Sequence, residues 1–121
     1  MELYFDNNIP IYVQLVEWLK LDIISGKLKP GERLLSVRDM ALSKKVNPNT
    51  MQKALLELES IGLIYTERTN GKFVCEDKAL IETFRKEYAD TIAKNFFAKM
   101  ENIGLGEKEA IKYLKEIGGI E

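Results

Sequence analysis

The chain has 121 residues, 45% hydrophobic and 31% charged, with a formal net charge of −1. That describes one compact domain with a short appendage and excludes both a disordered chain and two full domains. A single cysteine, Cys75, excludes an internal disulfide, and the lack of any histidine excludes the usual one-chain zinc sites and the Ser-His and Cys-His nucleophile pairs.

From the N-terminus, residues 1–8 lack the basic-then-apolar pattern of a secretory signal. No apolar run approaches the roughly 20 residues of a membrane span. A cytoplasmic protein is expected. Pro10 suits the first turn of a helix, where its missing N–H costs nothing. Tyr12, Leu15, Val16, Leu19 and Ile23 then recur at helical spacing on one face, and Gly26 supplies a stop. The spacing predicts a helix over 10–25. Trp18 lies off the stripe and is expected to pack on another element or on a second chain.

Pro30-Gly31 marks a turn, with a short extended piece before Leu35. Ser36-Val37-Arg38-Asp39 is a capping pattern that opens a short helix, with Val37, Met40 and Ala41 inside and its end near Lys45. Asn47 is a good N-cap and Pro48 a good first helical residue. The helix they open buries Met51, Ala54, Leu55, Leu58 and Ile61 and stops at Gly62. Its first turns carry Asn49, Thr50, Gln52 and Lys53, all able to hydrogen bond. Two short helices joined by a tight turn, the second polar at its N-terminal end, form the helix-turn-helix pattern.

Residues 63–65 and 72–74 read as two strands. Asn70-Gly71 between them is a strong hairpin signal, because both residues tolerate positive φ. A hairpin directly after the second helix is a wing. Residues 77–102 are helical again. Ile81, Phe84, Tyr88, Ile92 and Phe96 form one stripe and Ala89, Ala93, Phe97 and Met100 a neighbouring one. Gly104 and Gly106 break this helix before a last one over 107–117, with Ala110, Ile111, Leu114 and Ile117 on its apolar side. The expected fold is therefore mainly α with a small β-hairpin: a winged helix-turn-helix over 1–76 and a two-helix tail over 77–121. The tail has more apolar surface than a short chain can cover. A two-fold dimer is expected, with Phe84, Tyr88, Ile92, Phe96 and Phe97 at its interface.

The overall charge hides an asymmetry. Between Lys27 and Lys72 nine Lys and Arg face five Asp and Glu, a local surplus of positive charge that can attract phosphate. Asn49 and Gln52 are suited to adenine, which offers an acceptor and a donor in the major groove. Thr50 could reach a base or a phosphate, and Lys53, Arg38, Lys72 and Arg68 would neutralise phosphates. Glu67 would repel them, so strand alternation is expected to turn it aside.

The segment from Pro10 to Val74 resembles the DNA-binding domain of the GntR family. The marks are Pro10-Ile11-Tyr12 with Gln14-Leu15, Gly26-Lys27-Leu28-Lys29-Pro30-Gly31-Glu32-Arg33-Leu34, Ser36-Val37-Arg38-Asp39-Met40-Ala41, and Leu58-Glu59 leading into Gly62-Leu63-Ile64. Val46-Asn47-Pro48-Asn49-Thr50, Ala54 and the chain length look like the short YtrA-like branch. The resemblance implies a transcriptional regulator, a repressor rather than an enzyme. It would need no cofactor and would bind a palindromic double-stranded DNA operator as a homodimer. In that branch the controlled genes often form a transporter operon. Ser36, Arg38, Asn47, Asn49, Thr50, Gln52, Lys53, Asn70, Gly71 and Lys72 form the implied DNA-binding set.

The sequence departs from the family pattern in four places. Leu35 replaces a proline. Lys44 and Lys45 replace an apolar residue and a glycine, and Leu42 is expected to supply the missing apolar contact. Pro48 and Gln52 occupy frequent arginine positions. Two other readings stand beside this one. The first is a ligand-sensing regulator with an aromatic pocket at the dimer interface lined by Trp18, Phe84, Tyr88 or Phe97. The second is a winged helix that binds only protein.

Overall fold

The computed structural model describes residues 5–119. In chain order its elements are α1 (Ile11–Ile24), α2 (Val37–Lys44), α3 (Pro48–Ser60), β1 (Ile64–Glu67), β2 (Gly71–Val74), α4 (Lys78–Asn102) and α5 (Glu107–Gly118). They fall into two compact units, Met1–Thr83 and Phe84–Glu121, so the division lies within α4.

In the first unit α1 and α2 both pack on α3. The core is built from Leu15, Leu19 and Ile23 of α1, Met40 and Ala41 of α2, and Met51, Ala54, Leu55 and Leu58 of α3. Leu63, Ile64 and Val74 extend it under the wing, and Ile81 from the first turn of α4 closes it. Each fully buried aliphatic side chain contributes about 1.5–3 kcal/mol, so this cluster is the main reason the elements hold together. Tyr12 and Ile61, expected inside, are half-buried at its margin. Ahead of α1, Gln14 donates from Nε2 to the carbonyls of Asp6 and Ile9 and accepts from Asp6 N–H, each at 2.8 Å. Trp18 packs on Phe5, their rings 5.0 Å apart.

Local chemistry sets the helix boundaries. Ser36 Oγ accepts from Asp39 N–H at 3.1 Å at the start of α2. Asp77 Oδ1 accepts from Leu80 N–H at 3.0 Å at the start of α4. The end of α2 is less comfortable. Lys45 takes the left-handed conformation, φ 57 and ψ 44, so that its N–H reaches Leu42 and Val46 N–H reaches Ala41. A side chain there costs about 1–2 kcal/mol relative to glycine. Leu42 does not supply the expected apolar contact: it is 67% exposed, because it projects from the outer face of α2 opposite Met40 and Ala41.

The wing is larger than the sequence predicts. β1 and β2 pair antiparallel, Ile64 opposite Val74 and Glu67 opposite Gly71. The extended piece before α2 joins them: Leu34 N–H donates to Lys72 at 2.8 Å, Val74 N–H to Glu32 at 2.9 Å, and Arg33 bridges Phe73. The hairpin tip also differs. Residues 68–70 span it, Asn70 N–H donates to the Glu67 carbonyl at 3.3 Å, and Gly71 follows at φ 99. Asn70 is not left-handed, since Lys45 is the single non-glycine residue with positive φ among the described residues. One glycine after a longer turn reverses this chain, not a two-residue Asn-Gly turn.

In the second unit α4 ends where Gly104 turns left-handed and Leu105 N–H returns to the Met100 carbonyl at 2.9 Å. Phe96 and Phe97 meet edge to face at 5.4 Å, and Ala110 of α5 is fully buried. Much of the apolar surface is not covered: Ile92, Ile103, Leu114 and Ile117 are all exposed. Among the described residues no helix is long and apolar enough to cross a membrane.

Candidate nucleic-acid interface

The turn between α2 and α3 is held by its own side chain. Asn47 stays extended, φ −64 and ψ 135, and its Oδ1 accepts from Asn49 N–H at 2.7 Å. Pro48 occupies the first helical position and needs no partner for a missing N–H. The inner face of α3 is spoken for by Met51, Ala54, Leu55 and Leu58. Helical geometry then sends Asn49 and Lys53 to the opposite side, where both are exposed, and puts Thr50 on the flank, half-buried. The fourth polar residue of the opening turns, Gln52, is half-buried. Thus two of the four expected side chains stand fully outward, and Thr50 and Gln52 flank them, both half-buried.

Asn49, Thr50 and Lys53 share an open concavity of about 450 Å³ with Ile11 and Tyr12 at the start of α1. Lys53 Nζ lies 3.9 Å above the Tyr12 ring centre, within cation–π range. Sequence reasoning placed Tyr12 in the core. Its half-burial and the ammonium over its face make it a wall of the site as well. The signal was present, since Tyr12 sits at the end of its stripe, but contact with Lys53 depends on how α1 crosses α3.

On α2, Arg38 is exposed in the first turn, and Ser36 uses its hydroxyl oxygen as a cap while its O–H stays available to donate. The wing differs most from expectation. Lys72 Nζ donates to Thr66 Oγ1 at 2.8 Å and pairs with Glu59 Oε2 of α3 at 3.7 Å. Asn70 donates from Nδ2 to Glu67 Oε2 at 3.0 Å. Glu67 is therefore not turned aside from the tip: the reversed chain brings its carboxylate to Asn70. Arg68 is exposed at the tip. Arg33, which the sequence did not single out, lies against Gly71, with Nε 3.6 Å from where a Cβ there would sit.

The remaining reactive group, Cys75, is buried at the end of the wing. Burial pushes its thiol pKa up, against a smaller lowering by the Asp77 carbonyl that accepts from Sγ. The thiol is thus held in its unreactive form. Among the described residues no group of three or more Cys, Asp or Glu is arranged to hold a metal.

Of the five residues expected at a dimer interface, Ile92 is exposed and Phe84, Tyr88, Phe96 and Phe97 are half-buried within the single chain. Exposed Ile103 and Leu114 and Ile117 of α5 are further apolar positions that the sequence reading left out of that set.

Comparison with known proteins places this geometry. The profile of bacterial regulatory proteins of the gntR family matches residues 11–74. The HTH-type transcriptional regulator YhcF of Bacillus subtilis is 31% identical over 115 residues, 95% of either chain. The HTH-type transcriptional repressor YtrA of the same organism is 41% identical over 71 residues, 59% of this chain and 55% of its own. Among solved structures, a GntR family transcriptional regulator from Listeria monocytogenes superposes with a TM-score of 0.83 at 38% identity, covering 93% of this chain and 98% of its own. The DNA-binding domain of AraR in complex with operator ORR3 superposes with a TM-score of 0.54 at 29% identity, over 60% of this chain and 88% of its own.

Proposed function

The chain belongs to the GntR family of bacterial regulatory proteins and is a DNA-binding transcriptional regulator, and from that premise we propose that it is a repressor that binds a palindromic operator as a homodimer. The observation that carries the reading is the outward presentation of Asn49 and Lys53, with Thr50 on their flank, by a capped helix whose other face is fully buried. The Asn49 amide can pair bidentately with an adenine edge, and the Thr50 hydroxyl can reach a base or phosphate. Lys53 and Arg38 neutralise phosphates, which fixes register and supplies affinity without reading sequence. Ser36, whose Oγ already accepts from Asp39 N–H, donates its hydroxyl to a DNA phosphate, and Gln52 makes a contact at the margin.

Dimerisation is supported by the uncovered apolar residues of the second unit, Ile92, Leu114 and Ile117 among them. A two-fold pair would present two copies of α3 to half-sites related by the same symmetry. Residues 1–76 would form the DNA-binding part and 77–121 the dimerising part. The YtrA-like character extends the proposal to a transporter operon as target and to action in the cytoplasm.

Binding titrations over a salt series test the assignment of roles. Lys53→Ala or Arg38→Ala should lower the slope of log affinity against log salt by about one. Asn49→Ala should keep the slope and relax preference at one base pair, with a loss of about 1–3 kcal/mol. The same effect from both kinds of variant would overturn it.

A further inference from the structure

Besides Arg68, which is exposed at its tip, the wing offers two polar side chains to DNA by sequence, Asn70 and Lys72, and both are engaged within the protein. Lys72 is held by Thr66 and Glu59, and 15% of its side chain is exposed. Asn70 gives its amide to Glu67. Between them Gly71 has no side chain, and the group standing over it is the Arg33 guanidinium, with Nε and Nη2 3.6 and 3.8 Å from the position of an added Cβ. Arg33 is exposed, and no carboxylate pairs with it among the described residues. Its backbone is fixed: Arg33 bridges Phe73, and the next residue, Leu34, donates to Lys72.

We infer that Arg33 is a phosphate-binding cation of the wing, beside Arg68 at its tip, and that Lys72 instead fastens the wing to α3 through Glu59. The inference rests on the DNA-binding reading above and assigns a residue within it. A guanidinium is charged at every accessible pH, and its planar fork matches two phosphate oxygens. Lys72 lacks that freedom. Drawing its ammonium to a phosphate would uncover the Glu59 carboxylate beside the same polyanion, so the net gain in charge would be small. Gly71 keeps the guanidinium accessible. Any side chain there would stand against it and would also be strained at φ 99.

The test uses the full chain and a fluorescein-labelled mixed-sequence duplex, with anisotropy titrations at several salt concentrations. Arg33→Gln should lower the salt slope by about one, and Arg33→Lys should keep it. Lys72→Met should keep the slope and lower the melting temperature. Glu59→Gln, which releases Lys72 without touching Arg33, should raise the slope. A wild-type slope for Arg33→Gln together with a lowered one for Lys72→Met would overturn the assignment. So would an unchanged slope for Glu59→Gln, which stays readable even where Arg33→Gln folds poorly. Failure of the wild-type chain to bind the duplex at any salt would instead refute the DNA-binding reading itself.

Discussion

Replacing Asn47 separates what the turn does for the fold from what it does for DNA. In Asn47→Ala the Oδ1 acceptor at 2.7 Å from Asn49 N–H is lost. The position is exposed, so water replaces the cap and the effect is that of cap removal alone, about 1 kcal/mol. For a chain of 121 residues that corresponds to a melting-temperature drop of about 3–6 °C, measured at fixed protein concentration because a dimer's melting point depends on it. Asn47→Asp retains the acceptor and places a negative charge at the positive end of α3, so its stability should equal or exceed that of the wild type. The same charge would face phosphate, so its affinity for DNA should fall at least tenfold, the factor for about 1.4 kcal/mol. Thermal melts followed by circular dichroism and anisotropy titrations read the two effects separately. An unchanged melting point for Asn47→Ala would refute the capping argument. Wild-type affinity in Asn47→Asp would refute the claim that this turn faces the nucleic acid.

Lys45→Gly should stabilise the chain by about 1 kcal/mol by relieving its left-handed backbone, seen as a higher urea midpoint with unchanged slope; a lower midpoint would count against it. Phe97→Glu should weaken self-association and DNA binding together, and sedimentation that finds an unchanged dimer would remove Phe97 from the interface. Cys75 should react slowly with a thiol reagent in the folded chain and rapidly in denaturant. Because its folded pKa is raised, the unfolded thiol ionises first. The stability contribution is therefore full below the unfolded pKa and declines as pH rises above it, the opposite of what a depressed thiol pKa would give.

The elements of the first unit were legible because each rests on local chemistry. The stripe from Leu15 to Ile23 fixes a buried face, and Ser36, Asn47 and Pro48 announce helix starts that the structure reproduces to within a residue. Lys45 was legible in the same way, as a residue standing where the backbone wants glycine. The failures are all non-local. Leu42 lies within a plausible apolar pattern, and only the packing of α2 shows that it faces out. Asn70-Gly71 is a real turn signal, but the pairing of Glu67 with Gly71 leaves three residues at the tip, and that register is set between two strands rather than by the dipeptide. Lys72 read as a free cation because its partner, Glu59, sits on another element. Tyr12 read as core because the crossing of α1 over α3, which brings Lys53 above its ring, is invisible in either helix alone.

Selection of bound duplexes from a random library by this chain, followed by sequencing, is the sharpest test of two-fold, base-reading operator binding. An inverted repeat should be enriched, with half-site centres about 10 base pairs or a multiple of that apart, and adenine should be favoured at the position that becomes indifferent in Asn49→Ala. Recovery of no enriched sequence, or of a lone site without its inverted mate, would contradict it.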